Sequence, residues 1–136
     1  MTHEELTALR DKIDQSPGLK NFEKKLSDEL FLRAEQGSYG IDPLTILFII
    51  SIILQVISIC RRERTDADIE LDMVNANMLP PRKLMRLKRR LNVVWKEHCE
   101  KNATDPGTKN PFFDAAITAV RGVSRSDVTE LVSAAN

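Results

Sequence analysis

Six basic side chains lie within nine residues in the C-terminal half of the chain. They are Arg82, Lys83, Arg86, Lys88, Arg89 and Arg90. Guanidinium and ammonium groups at this density neutralise several phosphates, either of nucleic acid or of anionic lipid headgroups. The competing interpretation is pairing with residues 1–43, where six Lys and Arg face nine Asp and Glu, a local charge of −3. The cluster therefore predicts a phosphate-bearing partner or a set of internal ion pairs, and the sequence leaves both open.

Residues suited to covalent or metal chemistry are few and scattered. The two histidines are His3 and His98, and neither lies in a catalytic or metal-ligand motif. Cys60 and Cys99 fall outside any Cys-x-x-Cys spacing, which favours simple burial or a reducing compartment. Glu97, His98 and Cys99 are adjacent, but adjacent helical residues do not face one another and cannot converge on one ion. We expect a non-enzymatic protein without catalytic residues, metal or cofactor.

A long apolar segment is the strongest structural signal in the sequence. Residues 44–60 carry no charge, follow an Asp42-Pro43 pair typical of a helix start, and end at Arg61. Seventeen helical residues extend about 26 Å, close to the bilayer core of about 30 Å. Three interpretations follow: a membrane-spanning helix, the central helix of a bundle, or a helix buried between copies in a large assembly such as a virion.

Polar residues form one stripe along this segment. They are Ser51, Gln55, Ser58 and Arg62, spaced four, three and four residues apart. A polar stripe on an apolar helix is best satisfied by a neighbouring helix, from this chain or from a homo- or hetero-oligomeric partner. If the segment instead spans a bilayer, the basic residues that follow it predict a cytoplasmic C-terminal half.

Periodicity along the rest of the chain predicts an all-α fold of about seven helices in a single domain covering residues 1–136. Residues 1–43 form acidic N-terminal helices, 44–60 the apolar helix, and 61–136 a C-terminal helical region. That region contains a basic amphipathic helix over 82–101, with eight Lys and Arg against two Glu. Its predicted buried stripe comprises Leu84, Leu87, Leu91, Val94 and His98, and Trp95 is expected in the core. The last residues, 133–136, are expected to pack against nothing.

Composition narrows the class of protein further. The 136 residues contain 20 Lys and Arg and 20 Asp and Glu, so any anion binding must come from local clustering. We expect a structural or assembly protein, a minor or internal component of a virion or similar particle, located in the virion or at a membrane. The alternatives are a single-pass membrane subunit of a cellular complex and a soluble helical adaptor. The sequence identifies neither the stoichiometry nor the anion.

Overall fold

A computed structural model describes residues 2–37, 41–75 and 79–135, with the side chains of 34–37 outside the description. Within these residues the fold is all-α, as predicted, with seven helices and no strand. The helices are α1 (His3–Asp14), α2 (Pro17–Gly37), α3 (Pro43–Cys60), α4 (Asp66–Asn75), α5 (Pro81–Lys101), α6 (Pro111–Arg121) and α7 (Arg125–Ala134).

Side-chain caps determine where several helices begin. Asp42 Oδ1 accepts a hydrogen bond from the Thr45 backbone N–H at 2.7 Å, and Pro43 occupies the first turn of α3. Asn110 caps α6 in the same way, accepting from the Phe113 N–H at 3.2 Å. Each cap satisfies a backbone donor that the first helical turn leaves unpaired. The start of α3 predicted from Asp42-Pro43 is thereby confirmed, and Asn110-Pro111, the same pair of signals in the sequence, marks the start of α6.

The seven helices contribute apolar side chains to one core cluster. The α2 helix packs on α1, α6 and α7, while α3 packs on α5 and also contacts α1, α2 and α7. The α3 and α5 helices run antiparallel, because Glu63 just after α3 pairs with Lys83 near the start of α5. At the opposite end, Leu44 and Val94 line one groove. The basic helix therefore lies along the apolar one.

The apolar helix α3 is largely enclosed by its own chain. All of it is described, and of its large apolar side chains only Leu44 is exposed, at 45%. Ile49, Ile50, Ile53 and Ile57 are fully buried. Within the described residues, α3 is also the one helix long and apolar enough to cross a membrane, and 56% of it is buried in the bundle. Both lipid and the core of a bundle accommodate such a helix.

The buried stripe of α5 differs from the predicted one. Leu87 and Leu91 are buried as expected, and the predicted burial of Trp95 and of Cys99 is also confirmed. The predicted members Leu84, Val94 and His98 are only half-buried. The reason is that Trp95 belongs to the face of α5 that contacts the rest of the fold. Its indole donates a hydrogen bond to the Pro106 carbonyl at 2.9 Å and packs edge-on against Phe112 of α6.

The C-terminal end of α7 also departs from the prediction. Ala135 is 1% exposed and belongs to the core cluster, so the tail does pack. Its carbonyl accepts a hydrogen bond from the Arg61 guanidinium, and the Ala134 carbonyl accepts from Lys12 Nζ at 3.0 Å. Two distant cations thus satisfy carbonyls that the end of α7 would otherwise leave unpaired.

Candidate functional site: the basic face of α5

The α5 helix presents its arginines because its opposite face is held in the core. Leu87 and Leu91 are fully buried, and at 100° per residue the positions 82, 86 and 89 lie on the far side of the helix. Arg82, Arg86 and Arg89 are accordingly exposed. Anchoring by the buried stripe therefore places these three side chains on one exposed side of the helix.

Five of the six predicted anion contacts share one surface depression. A shallow cavity of about 530 Å³ is lined by Arg82, Lys83, Arg86, Arg89 and Arg90. Lys88 is the exception, because its Nζ lies over the Phe113 ring of α6, 5.5 Å from the centroid. A cation in that position contributes to packing between α5 and α6. The structure therefore separates Lys88 from the other five; we call those five residues the basic face.

Internal partners engage only two members of the basic face. Lys83 Nζ lies 3.7 Å from Glu63 Oε1, and Arg90 donates a hydrogen bond to Gln55 Oε1. Arg82, Arg86 and Arg89 make no ion pair or side-chain hydrogen bond with any described residue. Three guanidinium groups on one face thus keep their charge available for an external anion.

The acidic N-terminal third pairs with its own cations. Arg10 in α1 contacts Asp14 at 2.8 Å and Glu23 at 2.5 Å, and these carboxylates, Glu23 first, raise the pKa of the guanidinium. In α2, Glu29 contacts both Lys25 and Arg33, at 3.6 and 2.7 Å. Among the described residues, none of the ion pairs made by these acids reaches the basic face. The predicted alternative, pairing between α5 and residues 1–43, has no counterpart in these contacts.

The polar stripe of α3 lies partly at the surface. Gln55 and Arg62 are exposed, whereas Ser51 and Ser58 are half-buried. Gln55 Nε2 donates to Ser51 Oγ at 3.2 Å, and its Oε1 accepts from Arg90 of α5. The helix that contacts the stripe at Gln55 is therefore α5 of the same chain. A contact with another copy stays a prediction.

Sequence reasoning missed one cation of this surface. Lys96 is exposed and follows Arg89 by seven residues, which places it on the same side of α5. The predicted cluster ended at Arg90 because it was defined by density along the chain. A helical projection with 100° per residue would have included Lys96 and excluded Lys88.

The same surface carries two exposed apolar side chains and no exposed aromatic ring. Met85 and Val93 are 55% and 56% exposed. The one Phe, Tyr or Trp residue of α5 is Trp95, which is 5% exposed and stacks on His98 with ring centroids 5.9 Å apart. The surface is thus cationic and aliphatic.

Two further findings concern metal binding and similarity to known proteins. Among the described residues, no group of three or more His, Cys, Asp or Glu side chains is arranged to hold a metal ion. No protein-family model, curated protein or solved structure matches this chain.

Proposed function

We propose that this chain is a non-enzymatic nucleic-acid-binding component of a large assembly, such as a minor or internal protein of a virion. The observation that carries the proposal is the exposure of Arg82, Arg86 and Arg89 on one side of α5, without an ion pair to any residue that the structure describes. Arginine is suited to this role because its planar fork binds phosphate oxygens in pairs and stays charged at any working pH.

The balance of apolar and cationic groups favours nucleic acid over a membrane surface. An interfacial helix binds lipid by burying its apolar face in the bilayer. The apolar face of α5 is already used, since Leu87 and Leu91 are fully buried in the core. Met85 and Val93 are the large apolar side chains that α5 exposes, which is a small area to insert into lipid.

The apolar helix has a structural role in this proposal. The α3 helix packs against α5, and Gln55 of α3 accepts a hydrogen bond from Arg90. The helix thus supports the basic face from beneath. Other protein chains of the assembly would contact surfaces away from this face.

A single-pass membrane subunit is the second candidate function. It is favoured by the length and apolarity of α3, the one candidate span among the described residues. In that case the chain requires detergent for solubility and partitions with membranes after alkaline extraction. The nucleic-acid proposal, and equally the soluble adaptor, predicts a monodisperse chain without detergent, because 56% of α3 is already buried by its own fold.

Binding of fluorescently labelled DNA and RNA to the purified full chain tests the proposal. The variant Arg82→Gln, Arg86→Gln, Arg89→Gln removes three charges that touch nothing in the described fold. Each phosphate contact releases about 0.9 counterion, so three lost contacts lower the affinity by a few hundredfold, roughly, in 0.1 M salt. Unchanged affinity contradicts the proposal.

A matched control separates this effect from net charge. Lys20→Gln, Lys24→Gln, Arg121→Gln makes the same change of charge at exposed positions on α2 and α6. The control variant is expected to bind almost as tightly as the parent chain. Equal losses in both variants would show that bulk charge, and not the basic face, determines binding.

A further inference from the structure

We infer that the basic face binds the phosphate backbone of a double-stranded nucleic acid and does not read bases. This inference rests on the proposed function and names the form of nucleic acid and the mode of contact. Three features carry it: a straight row of cations, the absence of an aromatic platform among the described residues of this face, and arginines that nothing holds in a fixed orientation.

The cations follow one line along α5. Arg82, Arg86, Arg89 and Lys96 are spaced four, three and seven residues apart, and all are exposed. Fourteen residues at 1.5 Å each give a row of about 21 Å. At 3.4 Å per base pair, that length matches roughly six base pairs of duplex. The backbone of a single helix carries this row, and a rigid duplex can bind along it without the ordering cost that a flexible single strand would add.

Single-stranded ligands require a feature that this face lacks. Proteins that bind single strands stack the bases on exposed aromatic rings, with cations along the backbone. The indole of Trp95, the ring nearest the row in sequence, is 5% exposed and bonded to the Pro106 carbonyl. In a duplex the bases stack on each other, so a cationic and aliphatic surface suffices.

The arginines are free to follow phosphates but are not positioned for bases. Bidentate recognition of a base edge requires a guanidinium held in a fixed geometry by its neighbours. Arg82, Arg86 and Arg89 have no such hydrogen bonds within the described residues. Contacts to phosphate oxygens tolerate this freedom and carry no direct sequence information.

The row is limited at its C-terminal end by acids. Glu97 and Glu100 are exposed just beyond Lys96 and would repel a continuing backbone. Lys96 is therefore the last contact we assign. Lys96→Gln is expected to weaken duplex binding about eightfold in 0.1 M salt, which is the loss expected for one phosphate contact. Lys101→Gln, an equal change of charge past the acids, is expected to have little effect.

The decisive experiment compares four probes on the full chain. These are a 16-base-pair DNA duplex of mixed sequence, a second duplex of permuted sequence, the corresponding single strand, and vesicles containing phosphatidylserine. Over four contacts, a duplex releases about 0.2 counterion more per contact than a single strand, which corresponds to roughly sixfold tighter binding in 0.1 M salt. The two duplexes are expected to bind equally.

Each other outcome has a definite meaning. Single strands that bind as tightly as duplexes overturn this inference but leave the proposed function intact. A strong preference between the two duplexes overturns the backbone mode, and Arg86→Lys together with Arg89→Lys then checks it, because lysine preserves phosphate contacts but not bidentate base contacts. Binding to vesicles alone, or to none of the probes, overturns the proposed function as well.

Discussion

The Arg90 guanidinium of α5 donates a hydrogen bond to Gln55 Oε1 in the middle of α3. The amide of Gln55 in turn donates to Ser51 Oγ at 3.2 Å, so that both ends of the amide are used. This chain of donors joins the apolar helix and the basic helix at the surface of the bundle, next to the basic face.

A double-mutant cycle on Gln55 and Arg90 measures the coupling free energy between these two side chains. Gln55→Leu and Arg90→Leu each remove one partner, and we expect a coupling of about 0.5–1 kcal/mol, since the bond is charge-assisted but partly exposed. The free energy of unfolding in urea is the measurement. Gln55→Leu combined with Arg62→Leu is the control, because no contact joins those two side chains, and that pair should be additive. A coupling near zero for Gln55 and Arg90 would mean that the bond does not persist in solution.

Asn110 provides a second test of how α5 is held. It is 8% exposed, caps α6 through the Phe113 N–H, and donates to the Lys88 carbonyl of α5 at 3.3 Å. Asn110→Ala is expected to cost about 1–3 kcal/mol, because it removes both the cap of α6 and the hydrogen bond to the Lys88 carbonyl. Asn110→Asp keeps the capping oxygen but cannot donate, so the unfolding free energy of this variant should lie between the other two. Equal stability of all three proteins would contradict both contacts.

The helices were predictable because their signals are local. The Asp42-Pro43 and Asn110-Pro111 pairs fix helix starts within a few residues of the chain, and the structure confirms both. The burial of Trp95 and Cys99 was expected, but the half-burial of Leu84, Val94 and His98 was not, because the contact face of α5 includes Trp95, whose indole bonds to the carbonyl of Pro106, eleven residues away. Tertiary contacts of this kind cannot be recognised from the spacing of apolar residues in the sequence.

The candidate site was predictable in composition but not in arrangement. The density of Lys and Arg identified the basic residues, yet the side chain of Lys88 lies on Phe113 and Lys96 extends the row. The packing of Ala135 was not predictable from the sequence either, because its carbonyl accepts a hydrogen bond from Arg61, 74 residues earlier in the chain. Ser38, Tyr39, Gly40 and Ile41 are residue types typical of a turn, but residues 38–40 lie outside the described residues. The helical spacing of Phe22, Leu26 and Leu30 continues to Ala34, whose side chain also lies outside them.

The structural role of α3 predicts an asymmetric response to truncation. Ile53 is fully buried and Leu44 is 45% exposed. Ile53→Ala is expected to lower the free energy of unfolding by about 2–4 kcal/mol, as in other cores, and Leu44→Ala by about 1 kcal/mol or less. Thermal or urea unfolding without detergent gives both values. Similar small effects at both positions would be the result if lipid surrounded the helix.

The burial of Cys99 predicts that its thiol reacts slowly in the folded protein. Cys99 is 1% exposed, and burial raises the pKa of its thiol above the ordinary value of 9.0. The folded state therefore holds this proton more tightly than the unfolded state, and ionisation opposes folding once the pH rises past that value. In Cys60→Ala, we expect Cys99 to react slowly with a disulfide reagent at pH 8 and rapidly after unfolding in guanidinium. Fast reaction in the native protein would place this thiol at the surface.

The salt dependence of duplex binding tests the central claim most directly. The logarithm of the association constant is measured against the logarithm of salt concentration for the parent chain and for Arg82→Gln, Arg86→Gln, Arg89→Gln. Each phosphate contact contributes about 0.9 to the slope, so the triple variant should show a slope shallower by about 2.7. The control variant Lys20→Gln, Lys24→Gln, Arg121→Gln should retain the parent slope. Parallel lines for the parent chain and the arginine variant would show that these three side chains do not contact phosphate, and would contradict the proposed function.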